Sequence, residues 1–434
     1  MRNKSTALLR RFLIVALIFD ILSLRPGCAH TQSDKKPSSD DSSGTLSLRA
    51  RVEAFEDVWQ TINDKYYDPT FNGVDWKAVH DRYRRLVEAA SNDDQFYNLM
   101  AEMLTGLHDS HTHFDKPTKR GAKTFDYEVG ISISEIEREF VVSEVEAGSE
   151  AAAAGVKPGM IVRAVDGKEL REHVAWLKSL IKKDVSLSSE QSFQFVLHRT
   201  FFLGESGSTV QITLEDPAGR RLDVTVRRRT NTLKTPTLYS RRLASGYGYI
   251  KFNRWLPPND KRFKEELEKI MDVLGLIIDL RGNIGGDKEV ILAIAANFFT
   301  PNTPLGSDVG RSGESQGFAL RKGNRLYTGA VVILVDEGTG SASEVFTSFM
   351  RESGRAVVVG RQTSGDVLRA DYKKVKGGGF SYSTHYYRTI KGHKLEGVGI
   401  TPDRIVTATL SEMRQQRDAD LEEAEEVLRR SPRP

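Results

Sequence analysis

The clearest chemical signal in the chain is Asp336-Glu337-Gly338-Thr339-Gly340-Ser341-Ala342-Ser343-Glu344, set between the apolar run 331–335 and the helix-like stretch 345–350. A buried strand that ends in a glycine turn and restarts as a helix lifts one hydroxyl to the helix N-terminus. Free backbone N–H groups can stabilise an oxyanion there. That is the geometry a nucleophilic serine needs, with Ser341 or Ser343 in the role. The same residues also fit a plain helix start, because Ser341 followed three residues later by Glu344 is a capping box. A second apolar run, 274–280, ends in Arg281-Gly282-Asn283-Ile284-Gly285-Gly286. Its glycines let backbone N–H groups approach a ligand closely. It has neither the Gly-Lys-Ser/Thr of a phosphate loop nor a complete dinucleotide spacing, so it reads as the wall of an oxyanion hole.

His108, His111 and His113 fall within six residues. On a strand, His111 and His113 would share one face and suit a metal. The pair follows a helical pattern over 96–107 rather than sitting on an early barrel strand, and no metal or other cofactor is expected.

Together, Leu280-Arg281-x-Asn283-x-Gly285-Gly286 and Gly340-Ser341-Ala342-Ser343-Glu344 resemble the motifs of the tail-specific, or C-terminal processing, serine peptidases and their relatives around the tricorn core. The likeness extends to the glycine-bounded run 354–360, to Leu395-Glu396-Gly397-Val398-Gly399-Ile400-Thr401-Pro402-Asp403, and upstream to Leu107-His108-Asp109-Ser110-His111-Thr112. It spans residues 51–410 and implies an α/β, crotonase-like (ClpP/crotonase) layered peptidase core. Processing peptidases carry a Gly-Lys step whose lysine deprotonates the serine, and here that step is Gly365-Asp366. Lys373 and Lys374 read as exposed charges on a strand leading into the glycine turn 377–379. The tricorn-like branch uses a histidine instead, and Ser110, His111 and Glu396 match its pattern. The resemblance thus implies Ser341 as nucleophile, His111 as general base and then acid, and Ser110 with Glu396 as the relay that orients it. Backbone N–H groups of Ala342 and of Gly285 or Gly286 would hold the oxyanion. Imidazole titrates near neutrality, so it can activate an otherwise unreactive hydroxyl.

Between these halves, residues 121–230 resemble a PDZ domain through Tyr127-Glu128-Val129-Gly130-Ile131-Ser132-Ile133 and the stretch 148–167. The resemblance implies capture of a peptide terminus by a loop at Val129, Gly130 and Ile131, with the peptide added along a sheet edge. A fold that only positions or gates the core is the plainer alternative. The stretch 181–209, with Phe193, Phe195, Phe201 and Phe202, is long for a compact PDZ link and is expected to act as a lid or docking surface.

Residues 1–11 are basic, 12–24 largely apolar, and Gly27-Cys28-Ala29 small. This predicts a signal peptide over 1–29 and an exported, periplasmic or extracytoplasmic protein. Membrane association is expected only through a lipid on Cys28, the sole cysteine, and the preceding Arg25-Pro26 fits a lipoprotein signal poorly. Residues 30–50 read as a flexible linker. The formal charge of +4 arises in the leader, whose five Lys/Arg face one Asp. The remainder is balanced, which removes the argument for nucleic acid.

The other expected units are an N-terminal helical cap over 51–118, a serine peptidase core over 235–410 and a charged C-terminal surface helix over 411–434. Two functions from different classes fit. One is an exported serine endopeptidase acting on extended or unfolded polypeptides, and the other is an inactive PDZ-containing peptide-binding scaffold. Hydrolysis of another acyl compound, such as an ester, also fits the motifs. The sequence leaves the oligomeric state open.

Overall fold

The computed structural model describes residues 45–117, 124–229, 236–320 and 325–431. The expected signal peptide and the linker up to residue 44 lie outside these residues. The end of that linker is helical instead, because Ser47 caps α1 (Leu48–Lys65) by accepting the Ala50 N–H at 3.2 Å. Ala54, Phe55, Val58 and Ile62 recur on one face of α1 and are buried against α2 (Trp76–Glu88) and α3 (Asp93–Thr105). This helical layer packs onto β1 (His113–Asp115) through Phe114, with Phe380 and Tyr382 in the same cluster.

The next unit is built on strands β2 (Phe125–Asp126), β3 (Ile131–Ile136), β4 (Glu139–Val145), β5 (Ile161–Val165), β6 (Lys168–Glu169), β7 (Gly204–Glu205), β8 (Thr209–Glu215) and β9 (Arg221–Arg227). Helices α4 (Glu150–Ala153), α5 (Leu170–Asp184) and α6 (Glu190–Arg199) accompany them. The antiparallel sheet runs β3-β4-β5-β8-β9, with β6 on β5, while β2 pairs with β7. Alternate residues Val210, Ile212 and Leu214 point inward from β8, the period of two that a one-sided sheet requires. Phe193, Phe201 and Phe202 fill this unit's own core. Most of the phenylalanine-rich stretch is therefore packing, and only part of it faces outward.

The rest of the chain contains two sheets. In the first, β10 (Leu238–Arg242), β11 (Gly248–Phe252), β12 (Gly275–Asp279), β15 (Ala330–Val335), β16 (Val357–Gly360) and β19 (Arg404–Ile405) lie side by side, all parallel after the first pair. Helices α7 (Asn259–Glu268), α8 (Lys288–Ala295) and α9 (Ala342–Glu352) share the core cluster on one face. The other face is covered by α11 (Ala419–Arg430) through Ala424 and Leu428, while the short α10 (Leu410–Arg414) before it packs on the β3–β4–β5 sheet. The tail is thus two helices that cover sheet, and this corrects the single surface helix expected from its charge. A parallel sheet must bury both faces, and without α11 one would be bare. The second sheet orders β1-β18-β13-β14 from β13 (Ser307–Gly310), β14 (Ser315–Gly317) and β18 (Gly378–Arg388), with β17 (Leu368–Val375) on β18.

Loops that leave the carboxyl ends of neighbouring parallel strands meet in one crevice. Here β12, β15 and β16 send out the loops 280–287, 336–341 and 361–367.

Candidate active site

Ser341 ends the β15 loop and begins α9 with φ 52° and ψ −115°. A serine in this region stores about 1–3 kcal/mol, which the surroundings must enforce. Glu344 helps by accepting the Ser341 N–H at 3.1 Å, and the capping box is formed. The serine thus caps its helix while also lining the cleft. Gly285 lies so close that a Cβ there would stand 2.7 Å from Ser341 Cβ and 2.9 Å from the Ala342 nitrogen, so glycine is required by contact as well as by its φ of 103°. The Gly285 N–H donates to Asn283 Oδ1 at 3.1 Å. It would have to leave that bond to serve an oxyanion. The Ala342 and Gly286 N–H groups have no protein acceptor among the described residues. Ser343 is fully buried, donates to the Asn283 carbonyl at 2.8 Å and accepts from Trp255 Nε1 at 2.7 Å. Those bonds tie the start of α9 to the 280–287 loop and leave Ser343 no route to a substrate.

His111 stands opposite, in the turn between α3 and β1, and lines the same cleft. Its Nδ1 lies 2.6 Å from Ser110 Oγ, and that hydroxyl donates to Glu396 Oε1 at 3.4 Å. One hydroxyl proton cannot serve both neighbours. If it goes to Glu396, Ser110 must accept from His111 Nδ1–H, and Nε2 is left as the basic lone pair. Nε2 is buried and has no partner among the described residues. No hydrogen bond joins it to Ser341 in this structure.

Asp109, given no role from sequence, sets the turn. Its Oδ1 accepts the His111 N–H at 2.8 Å, the Thr112 N–H at 2.7 Å and Ser383 Oγ at 3.0 Å, while Oδ2 accepts Tyr66 OH at 2.6 Å. An aspartate bonding the N–H two and three residues on is a turn-forming pattern legible in Asp109-Ser110-His111. The anchors on β18 and α1's C-terminal flank are not legible there. His113 is held apart from the cleft by β1–β18 pairing opposite Ser381.

Residues 246–406 match Peptidase family S41, and residues 49–105 match the Tricorn protease C1 domain. The chain is a serine-type peptidase similar to family S41 over residues 246–406. This peptidase is 25% identical over 372 residues to the carboxyl-terminal-processing protease of Synechocystis sp., which covers 81% of this chain and 80% of that protein. It is 26% identical over 416 residues to the chloroplastic carboxyl-terminal-processing peptidase 3 of Arabidopsis thaliana, with coverage of 90% and 74%. Its fold is similar to those of two solved proteins. For the photosystem II D1 C-terminal processing protease, the TM-score is 0.57 at 22% identity over 87% of this chain and 97% of that one. For mature CPAF the values are 0.64 and 12%, over 88% and 96%. The peptidase is of the serine type and acts on polypeptides.

Asp366, in the Gly365-Asp366 step, lies at the cleft wall. Its two oxygens accept the hydroxyls of Ser188 and, at 2.7 Å, Ser192 at the start of α6. Phe195, one turn further along α6, lines the cleft and packs on Gly338, where a Cβ would stand 2.6 Å from the ring. The inserted unit therefore reaches into the crevice through the exposed part of the phenylalanine-rich stretch. Val129, Gly130 and Ile131 lie away from it, at the entry to β3, whose second edge has no strand partner among the described residues. Gly130, with φ 75°, is pressed against Ser149, whose Cβ would be 2.6 Å from a side chain there. Helix α6 packs beside β3 as well. Lys373 is remote, paired with Asp57 on α1.

Burial dominates the titration of the cleft. It lifts the Asp366 carboxyl to about 6 and Glu344 to about 8, and holds Glu396 well above the usual carboxyl range with Asp366 and Asp109 adding to the effect. Burial likewise lowers His111 and His113 to about 4. The folded carboxyls keep protons that the unfolded chain has already released, so their contribution to stability is present at low pH and lost as pH rises toward 8. The histidines act oppositely, but only between 4 and 6.5, below which the unfolded imidazoles are charged. Between pH 6.5 and 8 the carboxyl effect stands alone, and the midpoint of thermal unfolding is expected to fall across that interval. A flat or rising midpoint in calorimetry would contradict burial of these acids.

Proposed function

We propose that this peptidase is an exported serine endopeptidase that cuts extended or unfolded polypeptides, with Ser341 as nucleophile, His111 as general base and Ser110–Glu396 as its relay. One observation carries the reading: the buried, unbonded Nε2 of His111 shares a cleft with Ser341, while Nδ1 is engaged by the Ser110–Glu396 chain. In the reaction the Ser341 hydroxyl attacks the scissile carbonyl and gives its proton to Nε2. The oxyanion collects on the N–H groups of Ala342 and of Gly285 or Gly286, and the imidazolium returns the proton to the leaving amine. The carboxyl partner stabilises the charged imidazole through Ser110, the task a lysine would otherwise make unnecessary.

The core is read as crotonase-like over 235–410, with a helical cap over 51–118 and a PDZ domain over 121–230. A free β3 edge beside α6 supports strand addition by a peptide terminus at Val129, Gly130 and Ile131. The basic-apolar-small leader over 1–29 supports export. Cleavage of an unfolded test protein by the chain and by its Ser341→Ala variant, with products read by mass spectrometry, tests the function. Fragments produced only by the unmutated chain support it, and identical fragments from both overturn the choice of nucleophile.

Phe195 narrows the cleft that substrate must enter. Phe195→Ala is expected to raise kcat/KM on a short peptide by roughly tenfold, the equivalent of one buried aromatic contact no longer displaced by substrate. An unchanged or lower value would show that the ring contributes to substrate binding.

A further inference from the structure

The C-terminal segment touches both halves of the molecule at points that matter for the cleft. At one end, Leu410 and Met413 on α10 pack against Ile136, Val141 and Ile161 of the inserted unit's sheet. Leu410 N–H also donates to Glu137 Oε1 at 3.3 Å, and Arg414 fills the space beside Gly159. At the other end, α11 is held on the core sheet by Ala424 and Leu428. The junction between the helices presents two carboxylates. Asp418 takes Arg281 in a two-toothed grip, with both contacts at 2.8 Å. Asp420, 4% exposed, accepts Arg281 Nη1 at 3.0 Å and Arg361 Nη1 at 3.0 and 3.1 Å.

These two arginines stand at the roots of the loops that form the cleft. Arg281 opens the loop carrying Gly285 and Gly286, and is also clamped by the fully buried Asp279 at 2.7 and 3.0 Å. Arg361 opens the loop that brings Ser364 and Asp366 to the cleft and, together with Thr363, to Glu344. It also reaches Glu337 Oε2 at 3.2 Å, in the turn before Ser341. One carboxylate, Asp420, thus joins the loops on either side of the serine.

We propose that residues 404–430 form a positioning strap in which Asp418 and Asp420 hold Arg281 and Arg361, and α10 ties the same segment to the inserted unit, so that seating of that unit sets the geometry of the two loops flanking Ser341. Asp418 and Asp420 are positioning residues that touch no substrate. The inference rests on the proposed site for its kinetic consequence but not for its structural one. The bidentate Arg281–Asp418 pair, half-buried and backed by the buried Asp420, fixes direction as well as distance, which suits holding a loop to within the tolerance that oxyanion donors need. The inserted unit thereby has a second route to the cleft, independent of the Ser188, Ser192 and Phe195 contacts.

The test is hydrogen exchange by mass spectrometry on the full chain, joined to steady-state kinetics. In Asp418→Asn/Asp420→Asn, amides of 280–287 and 361–367 are expected to exchange about tenfold faster or more, with the β4–β5–β8 sheet unchanged as a control for folding. Leu410→Ser/Met413→Ser, which changes only the distant anchor, is expected to loosen the same two loops. The accompanying kinetic result is a fall in kcat of about tenfold at a KM within about twofold, restored by Asp420→Glu, which keeps the charge. Unchanged exchange in either loop for either variant overturns the strap, and so does a rate loss carried wholly by KM. The Ser341→Ala control judges the proposed site separately: persistent hydrolysis there would sink the nucleophile assignment, while the exchange data would still decide the strap.

Discussion

Ser341→Ala is expected to lower peptide hydrolysis by about 10⁴–10⁶-fold, with the folded structure and polypeptide binding retained. The serine is half-buried, lines the cleft beside His111 and stands against Gly285 and the unbonded N–H of Ala342. Removing its hydroxyl leaves the proposed oxyanion donors in place, so a residue of water-driven hydrolysis is expected to remain. Ser343→Ala should behave differently, because that hydroxyl bridges Trp255 and the Asn283 carbonyl inside the core. Its loss is expected to cost about 1–3 kcal/mol of stability through two deserted partners, with turnover reduced far less than in Ser341→Ala. Denaturant melts beside initial rates separate the two outcomes. Equal rate losses in both variants would return Ser343 to contention.

The second large effect belongs to His111. His111→Ala is expected to lower kcat by about 10⁴-fold or more, and the double variant with Ser341→Ala should be little worse than either single one, because base and nucleophile act as a unit. The imidazole's surroundings add a pH signature. Burial lowers His111 to about 4, so the proposed base is neutral well below the pH at which a solvated histidine would be charged. The acid limb of kcat/KM is expected near 4 for that reason, since this ratio reports the free enzyme. A limb near 6.5 would mean that the ring is wetter than its 7% exposure implies. Retention of activity by His111→Ala would remove it as base altogether.

The strand–glycine–helix stretches around Arg281 and Ser341 are readable as elements because their signals are local: an apolar run, glycines where the backbone must bend, and a capping residue. The neighbourhood of His111 is less so. Its turn is written in Asp109, two residues earlier, but Tyr66 and Ser383, which hold Asp109, come from distant parts of the chain and meet it only through β1–β18 pairing. The role offered to His111 came from motif likeness, not from the residues around it. Phe195 shows the same limit, because four phenylalanines in one stretch do not say which three fill the local core and which one reaches a cleft formed by another unit. The tail misleads for a different reason. Charges outnumber apolar residues in α11, yet Ala424 and Leu428, four apart, with Leu421 and Val427 beside them, seat it on the open face of a parallel sheet.

Ser110 and its carboxyl partner Glu396 lie 286 positions apart in the chain. A chain emerging from the ribosome therefore displays Ser110 and His111 long before Ser341 exists and acquires Glu396 later still. On the proposed reading, the relay that orients His111 stays incomplete until nearly the whole sequence has been made and residues 110 and 396 have met.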